Sequence, residues 1–436
     1  MEKATFDGLI MTMLRAGDSV SDLLFVAGKP PLAEVNGILK PSPGREDALL
    51  TPPFLEALAE YIIHGDKRLS ADYASTGSCD CSYAIENTAR FRVNIFKENR
   101  ARAIVMRKLQ SSVPTLAELK SPGVFGQIVT EKHGIILITG AAGSGKTTSL
   151  AAMINELNQT QPIHIITLED PIEFLHRHAQ AVISQRELGR DFTSFADGLR
   201  SALRQAPKVV LVGEIRDRET MEIALTAAET GHLVFSTLHT INAGQTINRI
   251  LGFFTNDEQA QVRHRLCDTI RYIVSQRLVP KIDGTRLMIT EVLGSSLRSR
   301  ESIRYGESEG RTFHEIIDAS LIYGWHTFDS CLLEAFQAHT ITEETTLLYC
   351  NDKGRMRRAL DLLKKAQQNA AESEGPSFPS LKMAGPASAS LSETGWEVKD
   401  GGANPSDDSL DSDKGTSRKV FQPRPKVETA GTANKA

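Results

Sequence analysis

The chain holds 436 residues, 40% of them hydrophobic and 24% charged, with a formal net charge of −4. That length exceeds one ordinary core of about 100–200 residues, and the near-neutral charge excludes a polycation that coats nucleic acid in bulk. No apolar run reaches the roughly 18–20 residues that span a bilayer, and residues 1–14, with Glu2 and Asp7, lack the apolar block of a signal peptide.

Along the chain, Phe6, Leu9, Ile10, Met13 and Leu14 share one helical face. Residues 23–27 (LLFVA) read as a strand, and PLAEVNGILKP as a hairpin in which Asn36-Gly37 supplies positive φ angles. FLEALAEYII returns to helical spacing, and CSYAI, FRVNIF and AIVMRKL read as three strands. In FRVNIF, Phe91, Val93 and Ile95 alternate with Arg92, Asn94 and Phe96, so one face packs and the other carries polar groups. These elements predict a small α+β domain over 1–110. Residues 111–125, with Pro114 and Pro122, read as a linker. From Gly126, apolar runs at 135–139, 163–168, 209–213 and 233–238 alternate with helical patterns. That grammar predicts an α/β domain over 126–365, its parallel sheet buried on both faces. After Ile250 the pattern reads as mainly helical. Residues 366–436 hold few large apolar side chains and are expected to be a disordered tail. Five scattered cysteines (Cys79, Cys81, Cys267, Cys331, Cys350) form no CxxC pair, which disfavours a zinc site or disulfide framework and fits a reducing cytoplasm.

The chemistry begins at Gly140, Ala141, Ala142, Gly143, Ser144, Gly145, Lys146 and Thr147, which match GxxxxGK[ST] between the strand IILIT and a helical pattern. The glycines let backbone N–H groups form an anion nest, and the helix N-terminus adds partial positive charge. Lys146 would reach the β/γ-phosphates of ATP, the Thr147 hydroxyl would help hold Mg²⁺, and Thr148 completes the nucleotide-binding set. ITLEDPIEF ends a strand at Glu169-Asp170, where carboxylates would orient water or hold metal, or form a solvated acidic turn. VVLVGEIRD runs into Glu214, suited to a water-mediated metal contact or to general-base work. Arg216 and Asp217 read as a local ion pair. His232 and His239 bracket LVFSTL; His239, at the carboxyl end, would touch a γ-phosphate or its attacking water. Arg92, Arg100, Arg102 and Arg107 crowd the last two strands of the first domain. They form a solvated face unless domain closure or a neighbouring subunit brings one to a phosphate.

ITGAAGSGKTTS, ITLEDPIEF, VVLVGEIRDRET and GHLVFSTLHT, in this order and spacing, resemble the secretion-ATPase superfamily. More narrowly they resemble the twitching-motility (retraction) ATPases of type IV pili, the PilT/PilU group. The resemblance covers about residues 5–365, including SDLLFVAGKPPLAEVNG, RFRVNIFKENR, SQRLVP and HTFDSCLLEAF. It implies a PAS-like N-terminal domain and a RecA-like P-loop ATPase domain. It also implies that Glu169 activates water, that Glu214 is the acid of the Walker B strand, and that His232 and His239 form a paired-histidine motif, with His232 among the nucleotide-binding residues. Arg100 and Arg107 match arginines that the N-terminal domain brings to the nucleotide. The same resemblance implies a homo-hexamer in the cytoplasm at the inner membrane, driving an inner-membrane pilus platform protein.

The lack of a tetracysteine insert and of an additional N-terminal domain favours the retraction type over the extension type. Within it, residues 302–309 (SIRYGESE) keep Ile303, Arg304 and Glu309 of the retraction segment and lose its middle. With RQAPKVVLVGEIRDRETM, AETGHL and the tail, this points to the PilU-like branch, acting beside a second retraction ATPase. Two other classes stay open. One is an accessory nucleotide-binding ring subunit with little hydrolysis, which Lys146, Glu169, Glu214 and His239 together disfavour. The other is a RecA-like nucleic-acid motor, disfavoured by the charge and by the lack of a recognisable DNA-binding module.

Overall fold

A computed structural model describes residues 3–17, 20–86, 88–109 and 112–373. The first sheet begins with β1 (Val20–Phe25), followed by β2 (Leu32–Val35) and β3 (Ile38–Pro41). Asn36 and Gly37, at φ 54° and 79°, close the turn between β2 and β3. β4 (Ser78–Ile85), β5 (Ala89–Glu98) and β6 (Ala101–Leu109) complete an antiparallel sheet in the order β3-β2-β1-β6-β5-β4. Along β5 the pleat buries Phe91, Val93 and Ile95 and leaves Arg90, Arg92 and Asn94 less covered. Phe6 and Ile10 of the helix Lys3–Leu14 and Leu55 and Leu58 of Pro52–Ile63 share the core of that buried face. A further helix, Lys67–Thr76, buries only Leu69 and Tyr73, which is why its sequence carries little apolar signal.

The second sheet contains β7 (Gly134–Thr139), β8 (His164–Glu169), β9 (Val182–Glu187), β10 (Val209–Val212), β11 (Leu233–Leu238), β12 (Ile270–Pro280) and β13 (Arg286–Gly294). Its order is β13-β12-β7-β11-β10-β8-β9, parallel throughout except for β13, which runs antiparallel to β12. β7 and β11 are buried at every position, as strands between two helical layers must be. The α/β architecture with an α+β N-terminal domain is therefore the one expected.

Three local details differ from the expectation. The region after Ile250 is mainly helical, as expected, but β12 and β13 interrupt it with a hairpin whose turn is closed by Gly284 at φ 79° and by Asp283 accepting from the Thr285 N–H. Polar Ser275 and Gln276 interrupt the apolar run of β12 yet are buried, bonded to Thr139 and Ser149 at 2.9 and 2.7 Å. Val124 and Phe125, in the expected linker, are buried in the core of the parallel sheet. Residues 366–373 of the expected tail continue the helix Lys353–Ser373; the remainder, 374–436, lies outside the described residues. No helix among the described residues is long and apolar enough to cross a membrane.

Candidate active site

The phosphate loop follows β7, and its helix, Lys146–Thr160, begins at the lysine of the motif. Gly140 at φ 148° admits no side chain: a Cβ there would lie 2.5 Å from Gln276 O and from Ser144 Oγ. Gly143 and Gly145 also take positive φ, at 75° and 89°. Lys146 is buried, and its Nζ donates to the carbonyls of Gly140 and Ala141 at 2.8 and 3.0 Å. Burial pulls the Lys146 pKa down while Glu214 opposes the shift. Ser144 Oγ is buried without a hydrogen-bond partner. A buried cation and an orphaned hydroxyl beside a helix N-terminus fit a polyphosphate. Ala142, Gly143, Lys146 and Thr147 line the adjoining cleft, of about 340 Å³. Gly140, Ala141, Ser144, Gly145 and Thr148 make up the rest of the loop and helix start.

Glu169 ends β8 and lines the same cleft. Its Oε1 accepts from Thr167 Oγ1 at 2.7 Å and from Gln185 Nε2 at 3.1 Å. Burial raises its pKa to about 7 against those two hydrogen bonds. Glu214 follows β10 and Gly213; it pairs with Arg216 and lies 3.6 Å from His239 Nε2. Glu214, Arg216 and His239 all line the cleft. Arg216 is thus not paired with Asp217, whose carboxylate instead caps the helix Arg218–Glu229 by accepting from the Thr220 N–H at 2.8 Å. His232 is a second correction. It precedes β11 and contacts Ala227 O and Thr230 Oγ1 at 3.0 and 3.2 Å, away from the cleft. Seven positions along a strand carry it about 20 Å from His239.

The arginines of the first domain occupy different places on its sheet. Asp22, Arg107, Arg92 and Ser82 are successive register partners across β1, β6, β5 and β4, forming one row on the sheet. Arg92 lines the cleft and lies 3.9 Å from Asp80. Arg107 donates to Asp22 at 2.9 Å and is 71% exposed. Arg100 is exposed in the β5–β6 turn at φ 67°. Neither Arg100 nor Arg107 lines the cleft of its own chain, whereas Arg92 does. The signal for Arg92 was its place opposite buried Phe91 in the pleat. Gln185 and His176 were missed altogether. His176 lines the cleft, and burial lowers its pKa to about 4, so the imidazole is neutral.

Comparison with known proteins bears on the family and the fold. Residues 77–323 match the family described as Type II/IV secretion system protein. The type IV pilus retraction ATPase PilT of Pseudomonas aeruginosa is 40% identical over 321 residues, covering 73% of this chain and 90% of that protein. The type IV pilus ATPase PilU of the same organism is 37% identical over 362 residues, covering 82% and 91%. These two values do not separate the PilU-like branch from the PilT-like one. A crystal structure of the pilus retraction motor PilT with bound ADP superposes with a TM-score of 0.71 at 36% identity, covering 81% of this chain and 98% of that one. The ATPase DotB of Legionella pneumophila gives 0.69 at 30% identity, covering 80% and 95%. The chain therefore belongs to the Type II/IV secretion system protein family, and within it to the PilT/PilU group of ATPases.

Proposed function

We propose that this chain is an ATP-hydrolysing motor subunit of the type IV pilus machinery, powering or assisting pilus retraction and hence twitching motility. The observation that carries this reading is one cleft in which the phosphate loop, Glu169, Glu214 and His239 meet. A carboxylate with a pKa of about 7 is suited to exchanging a proton near neutral pH. In the reaction assigned here, water loses its proton to Glu169 as its oxygen bonds to the γ-phosphorus and the bond to the β,γ-bridging oxygen breaks. Lys146 leaves the Gly140 and Ala141 carbonyls for phosphate oxygens, and Arg92 adds a second positive charge from the first domain. His239, beside Glu214, is placed to respond to the γ-phosphate.

Thr147 and Glu214 are the residues assigned to Mg²⁺. Among the described residues no group of three or more His, Cys, Asp or Glu stands ready to hold an ion. That donor set suits an ion that keeps water and shares phosphate oxygens. Bound there, it would neutralise charge on the β- and γ-phosphates.

The motor reading extends to a division into an N-terminal domain (1–110), a linker (111–125) and an ATPase domain (126–365). It also extends to a homo-hexamer in which exposed Arg100 and Arg107 serve a neighbouring subunit's nucleotide. The partners would be an inner-membrane pilus platform protein and a second retraction ATPase, at the cytoplasmic face of the membrane. The kinship with PilT and PilU supports these assignments.

The test is Mg-ATP hydrolysis by the purified chain, with ring formation checked, beside Glu214→Gln. Turnover that collapses in the variant is expected. A well-formed ring without turnover would favour an accessory subunit, and stimulation by single-stranded DNA would favour a nucleic-acid motor.

A further inference from the structure

Glu169 has as its sheet neighbour the edge strand β9, which no sequence motif marks. The pair is in register, with Thr167 opposite Gln185 and Glu169 opposite Glu187. The Gln185 amide is engaged at both ends. Its Nε2 donates to Glu169 Oε1 at 3.1 Å and to the Phe174 carbonyl at 2.8 Å, and its Oε1 accepts from the His176 N–H at 2.8 Å. Two acceptors on one side and a donor on the other leave the amide a single orientation. Thr167 Oγ1 donates to the same carboxylate oxygen at 2.7 Å. Both side-chain donors therefore load Oε1. Among the described residues, none donates to Oε2.

We propose that Gln185 is a positioning residue for hydrolysis: it holds Glu169 by Oε1, so that Oε2 is the atom that takes the proton from water. The inference rests on the reading of Glu169 as the base. Gln185 also ties that carboxylate to the backbone of Phe174 and His176 in the loop after β8. The Gln185 and Thr167 bonds favour the ionised carboxylate, against burial. The charged groups facing Glu169 are Glu173 from the loop, which opposes ionisation, and Arg90 from β5, which favours it. Asp170, Lys146, Arg92 and Glu214 line the same cleft.

Gln185→Met keeps the length and removes all three hydrogen bonds. Its kcat should fall about tenfold, while KM for ATP changes by less than about twofold. The acid limb of the kcat–pH profile should move to higher pH, because a donor to the ionised carboxylate is gone. Gln185→Glu adds a like charge beside the base and should move that limb further in the same direction. Thr167→Val removes the companion donor without touching residues 170–176; it should move the limb the same way even if the Gln185 variants misfold.

Parent kcat and an unmoved limb in Gln185→Met would overturn the proposal. So would a raised KM with an unmoved limb, which would leave Gln185 only bracing the loop. Glu169→Gln is measured alongside: if it hydrolyses ATP like the parent, the fault lies with Glu169 as base rather than with the clip.

Discussion

The two sheets carry their polar side chains in different places. β7 and β11 of the parallel sheet are buried at every position, so chemistry is confined to the ends of strands, where Glu169, Glu214 and His239 emerge. In the antiparallel sheet one face is buried and the other is open, and the row Asp22, Arg107, Arg92, Ser82 crosses four strands on that sheet. A strand-end residue is located by its motif alone. A residue on an open face is located only by where the sheet docks, and here Ser82 meets Glu187 of β9 at 3.2 Å, next to Arg92. That seam, rather than arginine content, selects Arg92 over Arg107.

The sharpest break in this comparison is at the strand ends. Lys146→Ala should lower Mg-ATP turnover by at least about 10³-fold with an unchanged circular dichroism spectrum; turnover near the parent's would misplace the site. On the open face, Arg92→Ala should cost about 10²-fold in kcat and Arg107→Ala less. The reverse order would make the arginine offered to a neighbouring chain, rather than Arg92, the principal nucleotide contact.

The pH dependence sharpens the contrast further. Glu169 titrates at about 7 in the fold and near 4.5 when unfolded. Between those values the native state holds the extra proton, so stability falls as pH rises through that window and levels above it. kcat should rise with pH through about 7 as the base ionises. Glu169→Gln should lose activity yet be more stable than the parent at pH 8, by about 1–3 kcal/mol in chemical denaturation. A variant less stable at pH 8 would mean that the carboxylate is not strained by burial.

The smallest effect tests packing remote from the chemistry. A Cβ on Gly294, at the end of β13, would lie 2.3 Å from the buried Trp325 ring. Gly294→Ala should cost about 1–3 kcal/mol of stability by overpacking, with KM for ATP unchanged.

How much of the site was legible follows the same division. The phosphate loop, Glu169, Glu214 and His239 each follow a short apolar run directly, so the local sequence announced both the element and its end. β9 was not legible: VISQRE has one buried apolar residue, Ile183, and its remaining side chains are polar apart from exposed Val182. The β12–β13 hairpin was hidden by Ser275 and Gln276, whose polarity is absorbed by lateral bonds to Thr139 and Ser149 that no one-dimensional pattern contains. His232, expected at the nucleotide from the resemblance alone, lies outside the cleft of its own chain because β11 separates it from His239.

The sequence by itself determined the α/β class, the nucleotide loop and the order of the strand-end acids, because these depend on local hydrophobicity and on backbone freedom at glycines such as Gly140. Tertiary structure alone decided which arginine enters the cleft, that Gln185 grips Glu169, and that burial carries the Glu169 pKa to about 7. The Arg92 placement depends on docking one sheet's face against the other sheet's edge, and the Gln185 grip depends on β9 pairing in register beside β8. Solvent exclusion and hydrogen-bond distance are set there, and periodicity does not encode them.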